Sequence, residues 1–344
     1  MGQELCVQRA SPTAVVVPAW EESLHNEHGE LLQGAGCPAE ASWGGPLGPQ
    51  DTLLIIDMQN DFLPLDVAPD GGRFGVPEGG ATVAPILELM ERFQKAGARI
   101  VATRDYHPHD HSSFSGQGGP FPPHCVQGSR GSYFFPAIGQ ALNAAMREHA
   151  LAADKPARRR SSAFGLDNAP HLVPQPSKNV FIAFKGFVEE VDSFGAFEYE
   201  ESHFKERVKH GSWDLATSGA ECVTCSRPWT GAFALKCSCL LEDVNAGPDV
   251  MAITRKDRRT LDQVIPKDGR LLVVGLTLDF CVLDSAINAA HKGYSSVFIA
   301  RDATRPAHIP GVGAHGSGFL TPPEFLVEKL KANNIGLVNS QCVK

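Results

Sequence analysis

The sequence predicts an α/β protein of three layers, a parallel β-sheet flanked by helices on both faces, with surface insertions. Two observations carry this. Six short aliphatic and β-branched runs recur along the chain: TLLIIDM, RIVATRD, NVFIAFKG, RLLVVGL, SVFIARD and IGLVNS. They are apolar almost throughout instead of alternating, as strands covered on both faces are. The stretches between them carry apolar residues at helical spacing, and strand alternating with helix is the pattern of a parallel sheet.

Taken in order, Thr52 opens the first strand. Val83, Ile86, Leu87, Met90 and Phe93 then fall on one helical face before a stop at Gly97. After the second strand, Pro136 opens a helix with Ile138, Leu142 and Met146 in a stripe. The helix after GLTLDFC turns Leu283, Ile287 and Ala290 inward and stops at Gly293. Thr321 with Glu324 three residues on reads as a capping box with Pro322 at the first helical position. Residues 1–50, rich in Gly and Pro without sustained periodicity, read as an N-terminal extension or cap to a domain over 51–344. Two stretches, about 150–178 and 203–257, break the rhythm and read as surface insertions.

The chain has 344 residues, 42% hydrophobic and 20% charged, with a net charge of −8. It can bury a sizeable core, and it lacks the basic field that would gather nucleic acid or an anionic membrane. No apolar run approaches the roughly 20 residues that span a bilayer, and the first residues lack a secretory pattern. The nine cysteines are odd in number and scattered. That argues for reduced thiols and a cytoplasmic location.

In an open parallel sheet ligands bind outside the carboxyl ends of the strands. Those ends carry Asp57, then Asp105 followed by His107, then Lys185, while the fourth strand leads to Cys281 at a helix start. The helix dipole favours a thiolate, and a nearby carboxylate and lysine supply proton acceptor and compensating charge: the parts of a nucleophile assembly. Any one of these residues alone has a plainer reading, as a buried thiol, a strand-end cap or a solvated lysine. Four on one edge favour chemistry.

The second signal is DYHPHDH, residues 105–111, followed by PPHC. A carboxylate and a histidine at i and i+2 of an extended segment point the same way, and an imidazole from the next loop completes three faces of a metal site. The expected ligands are Asp105, His107 and His124, with His111 and, behind it, His109 as further candidates.

The set LLIIDMQNDF, TRDYHPHDHSSF, FPPHC, FKG with DSFGAF, and GLTLDFCVLDSAINAA resembles the isochorismatase-like hydrolase superfamily and, within it, the nicotinamidases. The matches cover most of residues 52–145, 179–202 and 258–303. The resemblance implies the isochorismatase-like hydrolase fold and a catalytic triad of Asp57, Lys185 and Cys281. It also implies one divalent metal ion, zinc first and iron or manganese next, on Asp105, His107 and His124, with His111 a ligand in some members. Phe62 and Phe121 correspond to the aromatics that bind the pyridine ring, Phe121 standing where tryptophan is common. GLTLDFC has Thr277-Leu278 where Ala-Thr is common; the family's cis peptide would fall between Thr277 and Leu278, and the backbone amides of Leu278 and Cys281 would form the oxyanion hole.

The reaction so implied is hydrolysis of nicotinamide to nicotinate and ammonia through a thioester, in NAD salvage. Its partner is a small-molecule substrate, with no nucleic acid and no membrane, and a homo-oligomer is among the options. The competing readings are a sister amidase acting on another carboxamide or ureido group, and a metal-binding scaffold with an inactive core. Outside every motif, Cys222, Cys225, Cys237 and Cys239 form CVTC and CSC pairs 11 residues apart, which would suit a structural zinc site or reflect chance clustering.

Overall fold

The computed structural model describes residues 23–151, 172–176, 178–207, 233–235, 245, 260–313 and 316–344. Its strands are β1 (Thr52–Ile56), β2 (Arg99–Asp105), β3 (Arg147–Leu151), β4 (Leu172–Pro176), β5 (Val180–Lys185), β6 (Phe233–Leu235), β7 (Leu271–Leu276), β8 (Val297–Arg305) and β9 (Gly336–Val338). The helices are α1 (Ser23–Gly34), α2 (Val83–Lys95), α3 (Pro136–Met146), α4 (Glu201–Arg207), α5 (Leu283–His291) and α6 (Pro323–Ala332).

The main sheet has the order β6-β5-β2-β1-β7-β8-β9. Its six expected strands are parallel, and β6 joins the β5 edge antiparallel. β6 and α4 lie in a stretch whose sequence shows no such rhythm. β3, where the first insertion begins, and β4, near its end, form a separate antiparallel pair.

Alternation along β1 divides the core. Leu53 and Ile55 pack on one face with Ile86 and Phe93 of α2 and with Ile138 and Leu142 of α3. Leu54 and Ile56 face the other way, against Ile287 of α5 and Leu326 and Leu330 of α6. All these side chains are buried, so the apolar stripes read from sequence are the inward faces. One expected boundary differs: α6 begins at Pro323 with Pro322 as its N-cap, and no side chain caps it. Two successive prolines set the extended entry, so Thr321 sits too far back to cap.

Residues 23–50 are tied into the domain. The Glu78 carboxylate accepts the amides of Leu24 and His25 at 2.7 and 2.9 Å, supplying the acceptor that α1 lacks in its own first turn. Leu32 of α1 is buried in the α5–α6 face. Trp43 packs in the other face, and the Arg270 guanidinium lies 4.4 Å from its ring while binding Asp51 and the carbonyls of Trp43, Gly45 and Pro46. Cys37, Cys125 and Cys281 are free thiols, but Cys342 is disulfide-bonded, so the expectation of reduced cysteines does not extend to it. No helix of the described residues is long and apolar enough to cross a membrane.

Candidate active site

The chain runs outward from β1 through β2 to β5 on one side, then returns to place β7, β8 and β9 on the other. The strand order therefore reverses between β1 and β7, and a crevice opens there at their carboxyl ends. Asp57 follows β1 and Cys281 follows β7, one on each side of it. Asp105 and Lys185 are paired in register at the ends of β2 and β5.

Asp57 has a φ of 47°, a left-handed conformation that Asp tolerates better than most residues. Thr103 braces it, accepting its amide at 3.1 Å and donating to Oδ1 at 2.7 Å. Lys185 Nζ lies 2.8 Å from Asp57 Oδ2, 2.9 Å from Asp105 Oδ1 and 3.6 Å from Cys281 Sγ. The Lys185 ammonium and the Asp57 carboxylate thus form a buried ion pair beside the thiol. Asp57 and Lys185 are fully buried, and Cys281 is 5% exposed.

Burial pushes the Cys281 thiol well up, and Asp57 and Asp105 add to this while Lys185 opposes. Cys281 lies within a π-helical turn, Leu278–Val282, two residues before α5 begins. The resting group is thus the thiol, not the thiolate expected from the helix dipole alone: desolvation beside two carboxylates outweighs the dipole. Burial also raises Asp57, against the pull of Lys185. For Lys185 burial works downward, but Asp105, Asp57 and Cys281 overcome it and hold the ammonium charged.

Asp105, His107 and His124 each bring a ligand-type atom within 4.8 Å of the others. Gln59 fixes the first, taking the Asp105 amide on Oε1 at 2.7 Å and donating Nε2 to the Asp105 carbonyl at 2.8 Å. Asp61 Oδ2 accepts the Cys125 amide at 2.8 Å and so holds the loop bearing His124. His107 Nδ1 sits 2.6 Å from the Gly186 carbonyl and His124 Nδ1 2.8 Å from that of Pro122. Both contacts require Nδ1–H, which leaves each Nε2 a lone pair. Those lone pairs lie 3.1 and 4.0 Å from Asp105 Oδ2. Lone pairs converging on a carboxylate oxygen call for a cation between them, and two imidazoles with a carboxylate fit zinc, iron or manganese. Gly186 has a φ of 64°, and a Cβ there would stand 2.5 Å from Asp105 Oδ1 and 2.6 Å from His107 Cε1.

His111 does not join this group. Its Nδ1 lies 2.8 Å from Ser113 Oγ and accepts the Ser113 amide at 3.3 Å, while Nε2 faces the Val191 carbonyl at 3.2 Å. Both nitrogens are occupied by protein, although the ring lies 4.2 Å from that of His107. His109 is largely exposed, with its Nδ1 3.6 Å from Asp110. Cys222, Cys225, Cys237 and Cys239 lie outside the described residues.

One pocket joins the two groups. Asp105, His107, His124 and Cys281 line it together with Phe62, Phe121 and further aromatics not anticipated from sequence, Phe74, Phe194 and Phe280. The rings meet edge to face, Phe74 on Phe121 at 5.6 Å and Phe194 on Phe280 at 5.3 Å. Phe194 and Phe280 stand inside DSFGAF and GLTLDFC, where position in a motif at a strand end was the available signal. Phe74 lies in a Gly-rich loop and gave none. Asp192, Ser193 and Thr277 complete the lining.

The turn after β7 corrects the expected position of the cis bond. The cis peptide joins Leu276 to Thr277, one residue earlier than expected. Thr277 lines the pocket, whereas the Leu278 side chain is buried in the core beside α5.

Residues 51–164 match the Isochorismatase domain model. The nicotinamidase of Saccharomyces cerevisiae is 26% identical over 293 residues, covering 84% of this chain and 99% of the yeast protein. That of Escherichia coli is 35% identical over 113 residues, 28% of this chain, and the match spans only half of the bacterial protein. Among solved structures, the pyrazinamidase of Pyrococcus horikoshii in complex with zinc is 21% identical over 85% of this chain and 99% of that one, with a TM-score of 0.44. Residues 51–164 thus resemble the Isochorismatase domain, and the chain aligns with nearly the whole length of the yeast nicotinamidase.

Proposed function

We propose that the chain hydrolyses nicotinamide to nicotinate and ammonia through a thioester on Cys281, a step of NAD salvage. The observation that carries this reading is the buried cluster of Asp57, Lys185 and Cys281 opening into the same aromatic pocket as Asp105, His107 and His124. Two relatives named nicotinamidase support it.

Asp57 is the base. Burial has raised both its own proton affinity and that of the thiol, so a proton passes between them at modest cost. The thiolate attacks the carboxamide carbon, and the oxyanion is held by backbone amides of the turn after β7. Thr277 and Cys281, the pocket-lining residues of that turn with Phe280, are the better pair; Leu278 is set aside. Asp57 returns the proton to the leaving nitrogen, which departs as ammonia. It then takes a proton from water as the water attacks the thioester, freeing nicotinate and restoring the thiol. Lys185 keeps its charge throughout and balances the anion as it moves from carboxylate to sulfur to oxygen. Asp105, His107 and His124 would hold one divalent ion, zinc first, which when bound supplies a Lewis-acid anchor for the pyridine nitrogen. Phe62, Phe74 and Phe121 give the ring an apolar, water-poor slot.

Ammonia release from nicotinamide by the purified chain tests the reading. Turnover is expected, and its absence from protein carrying one equivalent of divalent metal would refute it.

A further inference from the structure

Asn245 belongs to the second insertion, outside every motif, yet it bonds to two segments that lead to the metal-ligand group. Its side-chain Oδ1 accepts the Phe134 amide at 2.8 Å, and its carbonyl accepts Arg104 Nη1 at 3.2 Å.

Arg104 immediately precedes Asp105 at the end of β2 and is fully buried. Its guanidinium lies 5.0 Å from the Tyr106 ring and 5.2 Å from that of Phe184. A buried charge is tolerated only where its N–H groups find acceptors. Besides Asn245, Arg104 donates through Nε to the Ser132 carbonyl at 2.9 Å and through Nη2 to Ser132 Oγ at 3.1 Å. The same Ser132 carbonyl accepts Gln59 Nε2 at 2.7 Å, and Gln59 is the side chain that grips both the amide and the carbonyl of Asp105. The adjoining backbone repeats the link: the Asn60 amide donates to the Tyr133 carbonyl and the Phe135 amide to that of Met58, both at 2.9 Å. Residues 132–135 are therefore bonded at once to Asn245, to Arg104 and to the 58–60 segment that carries Gln59.

We propose that Asn245 is a positioning residue for the metal centre, bracing residues 132–135 and, through Gln59 and Arg104, the backbone of Asp105. This rests on the reading of Asp105 as a metal ligand. Hydrogen bonds behind a ligand fix its direction, and their loss lowers metal affinity even when every ligand is kept. The insertion thus serves the site without supplying a ligand. A purely structural role would change the stability of the fold and leave the affinity of the folded chain for metal as it was.

Zinc affinity of the full chain, read by competition with a chromophoric chelator well below the melting temperature, tests this. Asn245→Ala should raise the Kd for zinc about tenfold. Hydrogen exchange over residues 103–107 should quicken about tenfold in the same variant, as the Asp105 amide is held less firmly. Asn245→Asp, which keeps an acceptor oxygen for the Phe134 amide, should return both toward the parent. An unchanged Kd in Asn245→Ala would overturn the proposal, whatever its melting temperature. Should that variant melt without a cooperative transition, Asn245→Ser is read in its place. A parent chain that takes up no zinc would refute the metal reading itself, and exchange over 103–107 then decides the role of Asn245, parent-like exchange in Asn245→Ala excluding it.

Discussion

Lys185 Nζ donates to Asp105 Oδ1 at 2.9 Å, and the other oxygen of the same carboxylate is the one on which His107 and His124 converge. One side chain therefore joins the nucleophile cluster to the metal-ligand group. Asp105→Asn should disturb both. Bound divalent metal should fall below about a tenth of an equivalent, and kcat/KM should drop at least about 100-fold. Elemental analysis alongside ammonia release checks this; full metal occupancy in the variant would break the link.

Cys281→Ala should abolish ammonia release, by on the order of 10⁴-fold or more, while nicotinamide still binds and the melting temperature barely moves. The residue is buried but small, so its loss opens little space. Substantial residual turnover would exclude a cysteine-bound intermediate.

The three histidines should separate by role. His107→Ala and His124→Ala each remove an Nε2 aimed at Asp105 and should strip the metal. His111→Ala should keep it, because both ring nitrogens already serve Ser113 and Val191. Its cost should appear as lost stability of about 1–3 kcal/mol, from the hydrogen bonds broken and the space left. Metal loss in His111→Ala with retention in the other two would reverse the ligand assignment.

His28 on α1 is buried 4.8 Å from the Phe319 ring. Burial, with help from Arg301, lowers its pKa from 6.5 to about 4. Between those values the unfolded chain binds the proton that the folded chain refuses, so stability rises with pH. The contribution is complete above about pH 6.5 and fades as pH falls toward 4, amounting to up to about 3 kcal/mol. His28→Leu should flatten this part of the profile in urea melts between pH 4 and 7.5. An unaltered slope would show that His28 is not the group responsible.

Gly275 lies where the register between β7 and β8 shifts, with φ at 105°. A Cβ there would stand 2.0 Å from the Ile56 carbonyl oxygen. Gly275→Ala should destabilise the fold by about 3 kcal/mol or more, since backbone strain and clash add, and should loosen the approach to Cys281. A thermal melt within a degree or two of the parent would contradict this close strand contact.

What the sequence determined by itself were the features encoded in local pattern. Continuous apolar runs marked the six parallel strands, and helical stripes marked α2, α3 and α5. Strand ends are where polar residues resume, so Asp57, Asp105 and Lys185 could be placed on one edge before any distance was known. Where a residue's role depends on partners far along the chain, only the tertiary structure decided. His111 sits in the same His-rich string as His107, but the neighbouring Ser113 hydroxyl and the carbonyl of Val191, 80 residues away, occupy its nitrogens. Thr277 and Leu278 are adjacent in sequence, yet one lines the pocket and the other packs in the core, because the backbone geometry after β7 sends their side chains apart. β6 is a three-residue strand with too little pattern of its own, and it acquires strand form by pairing with the β5 edge. The thiol of Cys281 follows the same logic. Its helical setting favours the anion, and its proton is kept by burial beside Asp57 and Asp105, neighbours that the folded sheet brings together.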